Sequence, residues 1–352
     1  MLDPATVPTI DLSLLQEAGS RQVLVDDLRR AIRDFGVFYV SNLPFDVRLL
    51  DEVKQQCQAF FDLPYEEKMK LDLANVPSFL GYAALGTEIT CNKTDWREHL
   101  TVASEFNGKI EGPLYRNLLG PTQWPSAESL PDFAPLVQRL LKEVTGVATT
   151  VRELAAEAMG IDNRLLDQLF DAKQQYRGRM IKYPSPPADA DPAAVQALGA
   201  HQDTAFATLI CQLTDHIALQ VQNAQGTWID CPPVPGTVVY VVGKGAEAVT
   251  YGVCKAAWHR VIPPVPGSGP RYSIAIGTGL GLDTSTTAPE TKDALQTLKE
   301  ELRAQHGKLN DKLHGYLRED ERFPTVGSRV FHNYARSYPE VVKRWFPGYN
   351  ID

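Results

Sequence analysis

With 352 residues, 43% of them hydrophobic, the chain has ample material for a sizeable core and the length of one β-rich unit with helical additions. Its formal net charge of −8, without any Lys/Arg run, excludes a phosphate-neutralising surface, so a small-molecule partner is expected and no nucleic acid. No apolar run approaches a membrane span and the start at Met1–Ile10 has neither a basic nor an apolar leader, which predicts a cytoplasmic protein without a membrane partner, a monomer or weak homo-oligomer.

The cysteines Cys57, Cys91, Cys211, Cys231 and Cys254 are odd in number, widely spaced and free of any Cys-x-x-Cys pair. They read as reduced core thiols, not as a disulfide framework or a zinc knuckle.

In chain order, Val7–Ser13 reads as a short strand. Leu24, Leu28, Ile32 and Phe35 then recur at helical intervals up to Gly36, a C-terminal stop. VFYVSNLP alternates as a strand, and Leu50, Val53, Cys57, Phe60 and Phe61 mark a second amphipathic helix over 47–61. Phe79–Val102, rich in Gly, Thr and aromatics, reads as irregular strand and loop. Its carboxylates Glu88, Asp95 and Glu98 have no partner visible in sequence and are expected in solvated or packing roles. A Pro/Gly/Trp-rich loop precedes a long helix over 132–159, whose stripe of Leu136, Leu140, Val144, Val147, Val151, Leu154 and Ala158 is core packing and which Gly160 terminates. A short helix is expected over 163–170. From Gln175 the chain becomes β-rich, interrupted by the Pro/Ala-rich loop before His201 and by Asn-Ala-Gln-Gly and Pro-Pro-Val-Pro-Gly turns. Residues 288–317 form a charged, solvated helical stretch. The end is aromatic again, with Val330, Phe331, Tyr334, Tyr338, Trp345 and Phe346 around Arg336. These are too many large rings for a free tail. The segment 329–345 is therefore expected either to close over a pocket or to dock the last helix.

The chemistry concentrates between His201 and Ser273. On an extended segment, His201 and Asp203 share a face, so one cation can touch both, with His259 as the third ligand. Two imidazoles and one carboxylate leave open positions on a metal, the arrangement used by non-haem Fe(II) oxygenases. Arg271 and Ser273 again share a face, and a guanidinium fork beside a hydroxyl is a receptor for a carboxylate. Of the remaining histidines, His306 and His314 fall in the charged tail, His99 and His332 lie outside the expected β core, and His216 begins a hairpin. A zinc hydrolase also uses two His and one carboxylate. It has no need of a dicarboxylate receptor, and the chain has no His-Glu-x-x-His helix.

The blocks HQDTAFATLICQ, WHRV and RYS, with the strand-helix-strand-helix order and FFDLPYEEK of the N-terminal part, resemble the iron- and 2-oxoglutarate-dependent oxygenases of the isopenicillin N synthase-like group over nearly the whole chain. The resemblance implies a mainly β, α+β fold. A double-stranded β-helix, or jelly roll, over about 175–280 is wrapped by an N-terminal region (1–120), backing helices (121–174) and C-terminal helices (281–352), all acting as one unit. It implies Fe(II) on His201, Asp203 and His259, and 2-oxoglutarate with its far carboxylate on Arg271, Ser273 and Tyr183. O₂ is the second cosubstrate, and a C–H bond of a small molecule is oxidised with release of succinate and CO₂. Phe206, Tyr334 and Arg336 are the substrate-side candidates. Two other readings keep the fold, namely a 2-oxoglutarate-independent iron oxidase and a non-catalytic binding module. The chain departs from the group's plant pattern at Leu43–Pro44 (His-Gly there), Ile181 (Asn), Ile217 and Ala218 (a glycine pair) and Lys244 (Asp).

Overall fold

The computed structural model describes residues 6–351 except 91, 107, 172, 173, 188, 190–194, 286, 311–316, 318 and 319, so that Cys91, His314 and the end of the charged helical stretch lie outside the described residues. Strands β1 (Thr9–Asp11) and β2 (Val37–Ser41) flank helix α1 (Arg21–Arg30), which continues as a π-helical turn to Gly36. Gly36 adopts φ +70°, and a Cβ there would lie 2.0 Å from the Lys255 carbonyl oxygen, so only glycine closes this corner. Helices α2 (Arg48–Phe61) and α3 (Tyr65–Met69) precede strands β3 (Gly81–Ala83), β4 (Ile89–Thr90), β5 (Lys93–Thr94) and β6 (Glu98–Ala103). The long helix α4 (Phe133–Met159) ends at Gly160 in the left-handed region, and α5 (Asn163–Asp167) follows.

The chain then builds β7 (Arg177–Tyr183), β8 (Leu198–His201), β9 (Ala207–Gln212), β10 (Leu219–Gln222), β11 (Trp228–Asp230), β12 (Val238–Val242), helix α6 (Lys244–Val249), β13 (His259–Val261) and β14 (Arg271–Thr278). Helices α7 (Pro289–His306), α8 (Val326–Ser337) and α9 (Pro339–Trp345) close it. An eight-stranded sheet in the order β1-β2-β12-β9-β14-β7-β6-β3 faces a four-stranded sheet, β11-β10-β13-β8, as a jelly roll flanked by helices. The β core expected from sequence is confined to 175–280. The large sheet in fact takes β1, β2, β3 and β6 from the N-terminal region.

Strand parity divides the large sheet into two chemistries. On β14, Tyr272, Ile274 and Ile276 point outward and join the core formed with Leu140, Leu141 and Val144 of α4. Burying each such Leu, Ile or Val contributes roughly 1.5–3 kcal/mol. Alternating with them, Arg271, Ser273, Ala275 and Gly277 face inward and line a cavity. The apolar face holds the sheet against α4, which leaves the polar face free to serve a site.

The three acidic residues expected in solvated or packing roles are held in ion pairs, Asp95 and Glu98 buried and Glu88 partly so. Glu98 meets Lys68 at 2.7 Å and Lys182 at 3.3 Å, and Glu88 meets Arg97 at 2.8 Å. Asp95 accepts hydrogen bonds from Thr90 Oγ1 and Gln196 Nε2, tying the β4–β5 hairpin to the loop before β8. His99 lies within the large sheet on β6, not outside the β core as expected. These partners come from distant segments, which hydrophobic periodicity does not report. Cys57, Cys211, Cys231 and Cys254 are buried and unbridged, and burial pushes the Cys211 thiol up to about 12.

Candidate active site

Between the two sheets lies a cavity of about 910 Å³ lined by residues of β7, β8, β9, β10, β13, β14 and α8. His201 and His259 are brought together as a directly opposed pair of β8 and β13, with ring centroids 4.2 Å apart. Asp203 does not continue the strand: β8 ends at His201, and Asp203 sits in the loop that follows. That loop is held by three backbone hydrogen bonds from the β12–α6 corner, Lys244 N to Asp203 O at 2.7 Å, Gly245 N to Ala205 O and Gly243 N to Phe206 O, both at 2.9 Å. A Cβ at Gly243 would stand 2.1 Å from the Ala205 carbonyl oxygen, so glycine is required for the corner to approach. Only the backbone of Lys244 takes part, which is why the departure there leaves the triad intact.

The ligand atoms of His201, Asp203 and His259 all lie within 4.8 Å of one another. His201 Nδ1 is 2.9 Å from the Gly199 carbonyl oxygen and His259 Nδ1 is 3.2 Å from that of Ala257. Each ring therefore donates through Nδ1 and presents a bare Nε2 to Asp203, at 3.5 Å from His201 and 3.8 Å from His259. This donor set, two imidazoles oriented by carbonyls and one carboxylate, fits a divalent metal of the iron type. Burial opposes the charge on Asp203, but the facing imidazoles outweigh it and hold the carboxyl well below its usual range. Burial pushes His259 downward against the pull of Asp203.

Arg271 and Ser273 stand on the inward face of β14, and Tyr183 of β7 is in register with Arg271. The guanidinium is 1% exposed, donates to Ser273 Oγ at 3.2 Å and to Gln212 Oε1 at 3.1 Å, and lies over the Tyr183 ring at 5.2 Å. Its Nε is buried without a partner, and no carboxylate among the described residues pairs with it. Burial draws its pKa down, against the pull of Tyr183. A buried guanidinium without a counter-charge is costly and fits an incoming carboxylate.

The other residues singled out in sequence divide. Tyr334 and Arg336 line the cavity from α8, whereas Phe206 packs edge-on against Phe170 in the core behind β9 and does not join the cavity lining; its ring belongs to the apolar side of the sheet. Ile181 lines the cavity, while Ile217, Ala218 and Lys244 do not, so of these departures only the first reshapes the wall. His216 is taken up by Thr214 and the Ser268 carbonyl, and His306 by that of Met159.

Glu88, expected from sequence in a solvated or packing role, lines the cavity, and so do three arginines not singled out in sequence, Arg97, Arg177 and Arg179. The signal for two of them was parity, since Arg177 and Arg179 alternate in step with Ile181 and Tyr183. Glu88 accepts from the Tyr338 hydroxyl at 2.6 Å and lies 3.2 Å from His99 Nε2 and 3.6 Å from Arg179 Nη1. Burial opposes its charge, yet His99, Arg179 and Arg97 hold it well below the usual carboxylate range. Burial pushes His99 down to about 4.

Residues 174–278 match the family model of the 2OG-Fe(II) oxygenase superfamily, and residues 7–127 match that of the non-haem dioxygenase in morphine synthesis N-terminal region. The chain is 36% identical to the 2-oxoglutarate-dependent dioxygenase frbJ of Dothideomycetidae sp. over 341 residues, 97% of this chain and 92% of that one. It is 30% identical over 280 residues to a homoarginine-6-hydroxylase of Arabidopsis thaliana, 78% of this chain and 74% of that one. In fold it is similar to a full-length Neurospora crassa protein solved in complex with alpha-KG and 5-formyluracil, with a TM-score of 0.68, 23% identity and coverage of 85% and 98%.

Proposed function

Because the chain belongs to the Fe(II)- and 2-oxoglutarate-dependent oxygenases, we propose that His201, Asp203 and His259 are its iron ligands and that Arg271, Ser273 and Tyr183 receive the far carboxylate of 2-oxoglutarate. The enzyme is a dioxygenase acting on a small molecule. The observation that carries the assignment of residues is Arg271: a buried guanidinium without a carboxylate, in the same cavity as the triad.

Iron and 2-oxoglutarate, when bound, supply with O₂ the oxidising power that breaks a substrate C–H bond, with succinate and CO₂ released. The chain's own part is positional. Gly199 and Ala257 hold the two imidazoles with Nε2 inward, the β12–α6 corner holds Asp203, and Arg271 with Ser273 fixes the cosubstrate's orientation by paired charge-assisted hydrogen bonds. Ile181, Leu219 and Val261 keep water from the walls between them. Tyr334 and Arg336 contact substrate from α8.

Among the described residues no helix is long and apolar enough to cross a membrane. The four buried, unbridged thiols and the net charge of −8 support a monomer or weak homo-oligomer in the reducing cytoplasm. Anaerobic titration of the protein with Fe(II) and 2-oxoglutarate tests the assignment. A weak visible charge-transfer band is expected, and it should be absent in His259→Ala. Its survival in that variant would refute the triad.

A further inference from the structure

Apart from Asp203 and Arg271, the cavity wall carries four guanidinium groups, Arg97, Arg177, Arg179 and Arg336, and one carboxylate, Glu88. Arg97 answers Glu88 at 2.8 Å and reaches Asp95 behind it at 3.5 Å. Counting both carboxylates against the four cations leaves two positive charges over. Arg177 spends its Nη2 on the carbonyl oxygens of Ser78 and Leu118, so neither bond neutralises it. His99, with its pKa near 4, adds no charge at neutral pH. Glu88 already faces Arg97, Arg179, His99 and the Tyr338 hydroxyl, so a cationic ligand would have to compete with two guanidinium groups for it.

The surplus charge is placed where a ligand has room. In the β7–β14 ladder Tyr183 opposes Arg271, Ile181 opposes Ser273, Arg179 opposes Ala275 and Arg177 opposes Gly277. One inward face thus carries a cationic receptor at each end, with Arg179 roughly 13 Å along the strand from Tyr183. Opposite the second receptor the side chains are a methyl group and a hydrogen. A Cβ at Gly277 would meet nothing nearer than Ala205 Cβ at 3.9 Å. Arg336 lines this cavity from α8, where Tyr334 lies beneath the Arg177 guanidinium at 4.8 Å.

We propose that Arg177, Arg179 and Arg336 form a second anion receptor and that the substrate is itself a small carboxylic acid, held by its carboxylate at the end of the cavity away from Arg271. This deepens the functional reading above and rests on it. Two separated receptors let a dicarboxylate cosubstrate and a carboxylate substrate occupy one cavity without exchanging places. Anchoring the acid group presents the rest of the molecule to the metal ligands on the opposite sheet.

The test uses the full chain loaded anaerobically with Fe(II) and saturating 2-oxoglutarate, with 4-fluorobenzoate and 4-fluorobenzamide as probes small enough for the cavity, read by fluorine NMR line broadening. The acid is expected to bind at millimolar concentration and at least roughly tenfold tighter than the amide, since only the acid makes charge-assisted bonds. Arg179→Gln and Arg336→Gln should each weaken the acid about fivefold or more while the iron–2-oxoglutarate band is unchanged. Arg336 is exposed, so its variant carries the test if Arg179→Gln fails to fold. Equal binding of acid and amide, no binding of the acid, an acid affinity unmoved by Arg336→Gln, or displacement of the acid by further 2-oxoglutarate would each overturn the proposal. Absence of the band in the unaltered protein would remove the reading beneath it, a failure that the band alone distinguishes.

Discussion

Arg271 is the residue at which burial and charge conflict most openly: 1% exposed, its Nε unpartnered, and answered only by neutral oxygens. Truncating it should therefore be felt by the cosubstrate before the substrate. Arg271→Ala is expected to weaken 2-oxoglutarate by about 2–5 kcal/mol, the usual cost of removing one partner of a buried charge pair, while iron binding persists. Titration of the anaerobic iron protein measures it, and an unchanged 2-oxoglutarate affinity would refute the role. His99 gives a second residue-scale expectation. Burial, with Arg179 and Arg97 nearby and against the pull of Glu88, holds it neutral in the fold to about pH 4, against an ordinary value of 6.5. The unfolded chain thus takes up a proton between pH 6.5 and 4 that the folded chain does not. Stability should therefore fall as the pH is lowered from 6.5 to 4. Urea unfolding between pH 7 and 4.5 checks this, with His99→Gln expected to show a shallower decline. The residues legible in sequence and those that were not differ in a simple way. His201, Asp203, Arg271 and Ser273 announce themselves by short spacings on nearby segments, whereas Glu88 acquires its meaning from Arg179 and Tyr338, which only folding brings to it.

Helix α8 shows how one element can both dock and wall. Val330, Asn333, Tyr334 and Ser337 recur at helical spacing and line the cavity. Phe331 and Ala335, on another face, are buried with Phe79, Tyr115 and Leu118. A Thr325–Ser328 capping box fixes where the helix starts. The aromatic composition of this segment foretold its packing but could not say which face met the pocket, because its partners Phe79 and Tyr115 lie in loops and short turns without periodicity. The helix thus docks and also lines the cavity wall, and the two alternatives posed by the sequence, closure over the pocket or docking alone, make different predictions. Deleting the segment would bare Phe79 and Leu118, so loss of the fold would mask any effect on coupling. Tyr338→Phe keeps the ring and removes only the hydroxyl that reaches Glu88 at 2.6 Å and receives Arg179 Nη2 at 3.2 Å. If closure by α8 and α9 matters to chemistry, this variant should consume several-fold more 2-oxoglutarate per product formed, with 2-oxoglutarate affinity and melting temperature near those of the unaltered protein. Full coupling in Tyr338→Phe would reduce the segment to a dock.

Across the whole molecule, what the sequence left unread is long-range pairing. The run VFYVS is plainly a strand, yet its neighbour β12 lies two hundred residues on, with Val239 opposite Tyr39, and the pairing depends on alternation shared by many strands in the chain. Likewise β6 joins the large sheet only through β7, which puts His99 beside the pocket. The outcome is that both sheets, the N-terminal strands and α8 all contribute to one cavity, so ligand binding should be read by the stability of the entire fold. Folding confines the Asp203 carboxylate and the Arg271 guanidinium in that cavity, and a cation at the first and an anion at the second each relieve a charge already held there. Mn(II), a redox-silent substitute for iron, together with 2-oxoglutarate at about a hundredfold excess over its dissociation constant, should therefore stabilise the native state by roughly 2.7 kcal/mol and raise the melting temperature by a few degrees. The pair should act more strongly together than Mn(II) alone, because the proposed site would hold 2-oxoglutarate at both ends, by the metal and by Arg271. In Arg271→Ala the metal's own contribution should remain while the increment from 2-oxoglutarate is largely lost. Equal increments from 2-oxoglutarate in both proteins would mean that the cosubstrate does not use the buried guanidinium, and would detach the receptor end of the site from its metal end.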